Sequence, residues 1–306
     1  MGISKNGDIR LLDYENIPDQ RGKTFIVTGA NSGIGFEATR MLLKNNTRVI
    51  MACRNMTKAE NALTFFKRET PEADVEVMEL DLSSLTSVKN FAAEFISKYK
   101  TLDVLVNNAG IMGTPYNLTE DGFEMQFGTN HLGHFLLVGL LLDLLRESVG
   151  SRVVTITSIA HFNGTIKFDD ISSTKEYSRM RAYRQSKLAN LLFAYELDRK
   201  LKLSGSGAIS VAAHPGISST NLVSLPPLLK WLEDRLLMTP AKGALPTVVG
   251  ATNQELEGGE YIGPAGFRQS YGFPAILKSG GQSNDKTISA RLWSMSEEMT
   301  GFKYNF

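Results

Sequence analysis

The stretch that decides the fold of this 306-residue chain is Thr24–Gly35, TFIVTGANSGIG. Its first five residues, Thr24–Thr28, are mostly apolar or β-branched and predict a buried strand. Gly29, Gly33 and Gly35 then predict a tight turn that leads directly into a helix. Glycines let the backbone approach a pyrophosphate, which exposed N–H groups and the helix dipole can hold. Because loops need glycine for many reasons, this turn indicates a dinucleotide site only if further motifs agree.

Outward from this turn, short apolar runs alternate with longer amphipathic stretches, as in a parallel sheet buried on both faces. Such alternation requires right-handed crossovers and predicts a doubly wound α/β fold of the Rossmann type. The predicted strands are Thr24–Thr28, Arg48–Ala52, Val75–Leu80, Val104–Val106, Arg152–Thr157 and Ile209–Ala213. The predicted helices are Ile34–Asn45, Thr57–Glu69, Ser84–Lys100, Asp121–Arg146 and Met180–Leu203.

No internal repeat and no linker rich in Pro, Gly or Ser divides the chain, so we expect a single domain over residues 1–306. Residues 1–22 form a polar extension before the first strand. The segment 221–239, NLVSLPPLLKWLEDRLLMT, is apolar and proline-containing, and it interrupts the alternation. We expect it to be a substrate loop over the carboxyl edge of the sheet, where ligands bind in such folds. The sequence leaves open whether it is a mobile lid or packs on the core.

The composition is that of a globular protein, with 42% apolar residues and a net charge of +1. No run of Lys and Arg indicates a nucleic-acid partner. The longest apolar stretch, Phe135–Leu145, is too short to span a bilayer and contains Asp143. The N-terminus lacks the apolar core of a signal peptide, and the single cysteine, Cys53, fits a reducing compartment. We therefore predict a cytoplasmic protein without a transmembrane segment.

The end of the second strand indicates which dinucleotide is bound. A carboxylate there would accept from the 2′-hydroxyl of NAD, whereas an arginine would pair with the 2′-phosphate of NADP. The strand ends in Cys53, Arg54 and Asn55, with one arginine and no acid. The sequence therefore favours NADP(H), unless Arg54 is only a solvated surface residue.

Ser158, Tyr183 and Lys187 are the candidate catalytic residues, with Asn130 in support. Ser158 follows an apolar strand and should lie at the carboxyl edge of the sheet, while Tyr183 and Lys187 are four apart on one helix face. A lysine ammonium nearby lowers the pKa of a phenol from its usual value of about 10. Such a phenol can give a proton to a carbonyl oxygen as hydride reaches the carbon. Ser158 would hydrogen-bond and orient the same oxygen.

After the fourth strand, Asn107–Gly110 (NNAG) combines amide side chains that can tie down a loop with small residues that leave room for a flat ligand. Together with the glycine turn, Ser158, Tyr183-x3-Lys187 and Pro215-Gly216, it resembles the short-chain dehydrogenase/reductase superfamily. The motifs follow the order of that superfamily over about residues 22–222. The cofactor-binding residues predicted in this way are Gly29, Asn31, Ser32, Gly33, Ile34, Gly35, Arg54, Asp81, Leu82, Asn108, Ala109, Gly110, Tyr183, Lys187, Pro215, Gly216 and Thr220.

The resemblance also implies finer features that spacing alone does not give. It implies a seven-stranded parallel sheet that binds a nicotinamide dinucleotide. Asp81 would hold the adenine, and Lys187 would also bind the nicotinamide ribose. Asn130 would hold a water molecule of a proton relay, and the Pro215-Gly216 turn and Thr220 would lie near the carboxamide.

Within the superfamily the chain is similar to the branch of retinol dehydrogenases, WW-domain oxidoreductases and protochlorophyllide reductases. The similarity rests on ACR at Ala52–Arg54, SIAH at Ser158–His161 and LWSMSEE at Leu292–Glu298. The expected lack of an apolar N-terminal anchor puts a retinoid substrate in doubt. The resemblance makes a homodimer or homotetramer a reasonable expectation, with the apolar stretch Phe123–Leu145 as a candidate interface.

We therefore predict an oxidoreductase that transfers a hydride between NADP(H) and the carbonyl or alcohol carbon of an apolar aldehyde, ketone or alcohol. Two alternatives stay open: a non-catalytic NADP-binding sensor or scaffold, and a reductase of a conjugated C=C bond. No metal site is expected, because His131 and His134 have no partners at metal-ligand spacing. His161, three residues after Ser158, is a candidate for lining the substrate mouth.

Overall fold

One mixed sheet organises the chain in the computed structural model, which describes residues 10–11, 16–217 and 238–306. Strands β2 to β8 are parallel to one another; at one edge β9 pairs antiparallel with β8, and β1 pairs antiparallel with β9. In these ranges the strands are β1 (Arg10–Leu11), β2 (Thr24–Thr28), β3 (Arg48–Cys53), β4 (Val75–Glu79), β5 (Val104–Asn107), β6 (Arg152–Ile156), β7 (Ile209–Ala213), β8 (Tyr261–Pro264) and β9 (Pro274–Ile276). Their order is β1-β9-β8-β7-β6-β5-β2-β3-β4, so the direction of winding reverses between β2 and β5.

Helices cover both faces of this sheet. They are α1 (Gly33–Leu43), α2 (Met56–Glu69), α3 (Leu85–Lys98), α4 (Met125–Phe127), α5 (Gly133–Leu140), α6 (Leu142–Glu147), α7 (Arg179–Leu203), α8 (Pro240–Thr252) and α9 (Lys286–Thr300). Along β2, Phe25 and Val27 face the layer of α1, α2 and α8, while Ile26 faces the layer of α3, α5 and α7. All three side chains are fully buried, which confirms the doubly wound α/β fold. Among the helices of these described ranges, none is long and apolar enough to cross a membrane.

The six strands predicted from apolar runs are present, with ends that differ by at most one residue. With β8 they make the seven parallel strands that the family resemblance implied. The sequence pattern did not locate strands β1, β8 and β9 or helices α8 and α9. The unpredicted strands have only two to four residues, and β8 and β9 contain proline. Such short strands depend on neighbours distant in sequence, so local patterning does not reveal them.

The prediction of one continuous helix over Asp121–Arg146 is wrong. The helix begins at Met125, contains a π turn at Gly128–Leu132 and is interrupted again between α5 and α6. Glycine permits the close packing at this turn, because a Cβ on Gly128 would lie 2.5 Å from Cγ2 of Thr119. Single-turn π segments often mark functional sites, and this one contains a predicted site residue, Asn130.

Residues 301–306 close over α5. The hydroxyl of Tyr304 donates to the carbonyl oxygen of Phe135 over 2.5 Å. The ring of Phe302 packs closely on Gly139, since a Cβ added to Gly139 would lie 2.4 Å from Cε1 of Phe302. Residues 133–139 are all buried within the chain itself. The stretch that the sequence offered as a subunit interface is therefore largely covered by other residues of the same protein.

All four histidines are buried, and burial lowers the pKa of each one. The pKa falls to about 3 for His131 and His214 and to about 4 for His134. These side chains are therefore neutral in the folded protein at pH values where an unfolded chain would protonate them.

We expect acidification to destabilise the folded protein. Below about pH 6.5 the unfolded chain binds protons on histidines that the folded chain keeps neutral, so stability present above that pH is lost as pH falls. At pH 5.5, His131, His134 and His214 should each lower the free energy of unfolding by about 1.4 kcal/mol relative to neutral pH. Urea unfolding at pH 7.5 and 5.5 measures this, and His131→Gln should shrink the difference by one such increment. Equal stability at both pH values would contradict the prediction.

Candidate active site

The glycine turn between β2 and α1 approaches the end of β5 more closely than a Cβ would allow. A Cβ on Gly35 would lie 2.4 Å from Nδ2 of Asn108 and 2.5 Å from the carbonyl oxygen of Gly29. Gly29 and Gly33 have φ angles of +66° and +57°, in the left-handed region that favours glycine. Ser32 is the N-cap of α1 but makes no side-chain cap hydrogen bond. The first N–H groups of α1 are thus not satisfied by that side chain, which fits a bound pyrophosphate.

Hydrogen bonds join the loop after β5 to the end of β2. The backbone N–H groups of Asn108 and Ala109 both donate to Oγ1 of Thr28, each over 2.9 Å. The side-chain amide of Asn108 donates to the carbonyl oxygen of Thr28 over 2.8 Å. The sequence predicted that an asparagine would tie this loop down, but it gave no sign that Thr28 is the partner.

A cleft of about 430 Å³ opens along the glycine turn, where the winding of the sheet reverses. Its size is in the range of small-molecule sites, and its place is the one where doubly wound folds bind nucleotides. The predicted cofactor-binding residues that line it are Gly29, Asn31, Ser32, Gly33, Ile34, Gly35, Arg54, Asp81, Leu82, Asn108, Ala109 and Gly110.

Arg54 and Asp81 lie together at one end of this cleft. Nη1 of Arg54 is 3.9 Å from Oδ1 of Asp81, and the Arg54 side chain is 64% exposed. The Asp81 carboxylate also accepts from the backbone N–H and hydroxyl of Ser83, which holds it in place. Lys58, four residues after Arg54 and in the first turn of α2, lines the same cleft. Sequence reasoning missed Lys58, although its spacing from Arg54 was a usable signal.

A second, smaller cleft of about 180 Å³ contains three of the four predicted catalytic residues at the carboxyl edge of the sheet, and Asn130 does not line it. It is contiguous with the first cleft, because the two share Ile34, Asn108, Gly110 and Ile111. The predicted residues brought together in it are Ser158, Tyr183, Lys187, Pro215 and Gly216. The structure thus unites residues that are 58 positions apart in the sequence, from Ser158 to Gly216.

Burial controls the ionisation of the catalytic candidates. It raises the pKa of the Tyr183 phenol, and a hydrogen bond with the Ser158 side chain opposes that rise. Burial lowers the pKa of the Lys187 ammonium to about 8. Nζ of Lys187 donates to the carbonyl oxygen of Ile156 over 3.1 Å and lies 5.9 Å from the centre of the Tyr183 ring. The depression of the phenol pKa by lysine, expected from the sequence, is not seen in this state because burial dominates.

Asn190 is a further polar residue of this region that sequence reasoning missed. Its side-chain amide donates over 3.0 Å to the same Ile156 carbonyl oxygen that accepts from Lys187. Asn190 is three positions after Lys187 on α7 and is fully buried. The i, i+3 spacing could have indicated that the two side chains share a partner.

Asn130 is fully buried behind the loop that follows β5. Its side chain accepts from the N–H of Ile111 over 2.8 Å and donates to the carbonyl oxygen of the same residue over 2.9 Å. It also donates to the hydroxyl of Ser186 over 2.9 Å. Asn130 therefore anchors the wall between the two clefts, and protein partners use both of its amide hydrogens and one lone pair of its Oδ1.

Some predicted positions are not brought to the clefts. His161 does not line a substrate mouth: it is fully buried, and its Nδ1 lies 2.7 Å from the carbonyl oxygen of Ser158. Thr220 and the segment 221–239, apart from Met238 and Thr239, lie outside the described residues. In the part of the chain that is described, no three His, Cys, Asp or Glu side chains are close enough to hold a metal ion.

Comparison with known proteins gives concordant matches over most of the chain. The family model described as short chain dehydrogenase matches residues 23–225. Retinol dehydrogenases 14 and 13 of Homo sapiens are each 41% identical to it, over 92% of this chain and 87% and 86% of theirs. A crystal structure of a Mycobacterium paratuberculosis protein is 39% identical, with a TM-score of 0.82 and coverage of 97% of this chain and 100% of that one. The RhlG–NADP complex of Pseudomonas aeruginosa, 23% identical with a TM-score of 0.64, shares the fold.

We expect Gly35→Ala to destabilise the protein by about 2 kcal/mol, because the new Cβ would overlap Asn108 and the backbone of Gly29. The matched control is Gly207→Ala, since Gly207 is exposed and a Cβ added there would have no neighbour within 4 Å. Urea unfolding of both variants measures the difference. A Gly35→Ala protein as stable as Gly207→Ala would show that the two loops are not in close contact.

Proposed function

Because the chain belongs to the short-chain dehydrogenase family and is therefore an oxidoreductase, we propose that it transfers a hydride between NADP(H) and a carbonyl or alcohol carbon. The observation that carries this proposal is the cleft in which Ser158, Tyr183 and Lys187 meet, contiguous with a cleft along the glycine turn. Tyr183 would act as the catalytic acid and base. When bound, NADPH supplies the hydride; the protein supplies binding, orientation and the proton.

The residues present fit a dinucleotide in the larger cleft. The N–H groups at the start of α1 would hold the pyrophosphate, since no cap from Ser32 occupies them. Asp81 and Leu82 would border the adenine, and Arg54 would pair with the 2′-phosphate of NADP. Gly29, Asn31, Asn108, Ala109 and Gly110 would form the walls. At the other end, the Pro215-Gly216 turn and Lys187 would bind the nicotinamide half, and Thr220 remains a predicted contact of the carboxamide.

The ionisation state of Tyr183 supports proton donation. Because burial raises its pKa, the phenol is protonated near neutral pH and can give its proton to a carbonyl oxygen. Ser158, which hydrogen-bonds to the phenol, would orient that oxygen. Lys187 would keep a positive charge close by as the phenol loses its proton, so that the phenolate is stabilised. Asn130 would hold a water molecule that returns a proton to Lys187.

An apolar substrate is supported by the lining of the smaller cleft. Beside the catalytic groups, its walls carry Ile111, Met112, Ile159 and Ile217. Such walls favour an apolar aldehyde, ketone or alcohol over a charged molecule. The names of the most similar relatives specify retinol, which is itself an apolar alcohol. The segment 221–239 would complete the pocket as a substrate loop.

Three further features stay predictions of the whole chain. We propose a single domain over residues 1–306 and a cytoplasmic location. We also propose a homodimer or homotetramer, assembled through surfaces other than the covered helix α5.

We expect Tyr183→Phe to lower kcat for carbonyl reduction by at least about a hundredfold, because it removes the proton donor. NADPH affinity should stay within about twofold of the parent, since the ring remains. The matched control is Tyr195→Phe on the same helix, whose hydroxyl donates to Ser279 instead. Turnover with a panel of apolar aldehydes and calorimetric NADPH titration measure the two effects. Full activity of Tyr183→Phe would remove Tyr183 from the mechanism, and tight NADPH binding by a parent protein without turnover would favour a sensor.

We expect Arg54→Gln to weaken NADPH binding about tenfold, or about 1.4 kcal/mol, and to leave NADH binding unchanged. Only NADPH carries the 2′-phosphate that the guanidinium would pair with. Arg48→Gln is the matched control, because Arg48 is the first residue of β3, at the end of the strand opposite to Arg54, and pairs with Asp74. Equal affinities of the parent for both dinucleotides would contradict the NADP assignment without touching the fold.

A further inference from the structure

A continuous chain of hydrogen bonds runs beneath the two clefts from β2 to the π turn. Oγ1 of Thr28 lies 2.9 Å from Nε2 of His134, and Nδ1 of His134 lies 3.0 Å from the backbone carbonyl oxygen of Asn130. All three side chains are buried, with at most 1% of each exposed. His134 lies on α5, outside both the glycine turn and helix α7, which carries Tyr183.

The direction of each proton in this chain is determined by its ends. A carbonyl oxygen can only accept, so Nδ1 of His134 must carry hydrogen and donate to Asn130. Burial keeps the ring neutral near pH 7, so Nε2 is an acceptor. The Thr28 hydroxyl already accepts from the backbone N–H groups of Asn108 and Ala109, which leaves its own hydrogen to donate to Nε2. The only other acceptor found for that hydrogen among the described residues, the carbonyl of Val106, is farther away at 3.3 Å.

The two ends of this chain lie at two functional places. Thr28 immediately precedes Gly29 and holds the loop Asn108-Ala109, which walls the dinucleotide cleft. Asn130 lies in the π turn, where its side chain anchors Ile111 at the junction of both clefts. A single imidazole therefore connects the wall of one cleft to the anchor of the other.

We propose that His134 is a positioning residue that sets the Asn130 backbone and the Asn108-Ala109 wall relative to each other. The proposal rests on the proposed function only for its effect on turnover. His134 touches neither cleft and transfers no proton to substrate; it acts by holding Thr28 and Asn130 in register. The hydrogen bond from Nδ1 to Asn130 should affect kcat, and the hydrogen bond from Thr28 to Nε2 should affect the binding of the cofactor.

The tautomer of His134 can be tested on the unaltered protein by NMR of 15N-labelled histidine. The hydrogen bonds require hydrogen on Nδ1 of His134, and also on Nδ1 of His161, whose partner is the Ser158 carbonyl. His214 must instead carry hydrogen on Nε2, because its Nδ1 accepts from the N–H of Gly216. We expect at least two neutral Nδ1–H rings at pH 7, with one lost in His134→Gln. An Nε2–H ring at His134 would overturn the proposal whatever the protein catalyses.

Two substitutions separate the two halves of the role. In His134→Asn the amide nitrogen takes the place of Nδ1, so the bond to Asn130 is kept and that to Thr28 is lost. In His134→Gln the amide oxygen takes the place of Nε2, so the bond to Thr28 is kept and that to Asn130 is lost. We expect His134→Gln to lower kcat about tenfold with little change in the Kd for NADPH. His134→Asn should raise that Kd about fivefold and keep most of kcat.

The variant His134→Phe keeps an aromatic ring but loses the hydrogen bonds to Thr28 and Asn130. It should therefore show both the lower kcat and the higher Kd for NADPH. If His134 contributed only to stability, all three variants would have a lower Tm, but His134→Gln and His134→Asn would not differ in whether kcat or the Kd for NADPH is affected. That outcome would overturn the proposal. If the parent protein neither binds NADPH nor turns over substrate, the proposed function fails, and the NMR result still decides the hydrogen-bond chain.

Discussion

The close approach of the β2–α1 turn to the end of β5 is the constraint on which the rest of the site depends. Asn108 occupies the space that a side chain at position 35 would need, and it bonds back to Thr28. Strands β2 and β5 are neighbours at the point where the winding reverses. The chain therefore continues from β2 and from β5 to helices on opposite faces of the sheet, which leaves a crevice between the two connections. A glycine at position 35 therefore determines both how closely the strands' ends pack and where a ligand can lie.

Burial also shifts the pKa values of the predicted catalytic groups. Lys187 is held by a neutral carbonyl oxygen, and burial lowers its pKa to about 8. Tyr183 is protonated for the same reason, since desolvation disfavours its anion. In the proposed reaction the protonated phenol would donate to a carbonyl oxygen, and the Lys187 ammonium beside it would stabilise the phenolate that forms. Binding of a cationic ring beside them would lower the pKa of both groups, because a nearby positive charge favours the phenolate and disfavours the ammonium.

Residues far along the chain complete the support of this region. Residues 301–306 cover α5, with Trp293, Phe302 and Tyr304 packed around Phe135 and Gly139. This aromatic cover buries the part of α5 that carries Phe135 and Gly139. It also uses the apolar surface of α5 within the chain, which explains why so apolar a helix need not pair with another subunit.

The sequence by itself determined six of the seven parallel strands, the glycine turn, and the identity and order of the predicted residues that meet at the carboxyl edge. It could do so because buried strands leave continuous apolar runs, and because tight turns require glycine at particular positions such as Gly29 and Gly33. The π turn, the antiparallel edge and the partners of His134, His161 and Asn190 were decided only by the tertiary structure. Each of these depends on a contact between residues distant in sequence, which no local pattern encodes. The same is true of protonation: Lys187 and Tyr183 were visible as a pair, but their pKa directions depend on burial, which only the folded chain creates.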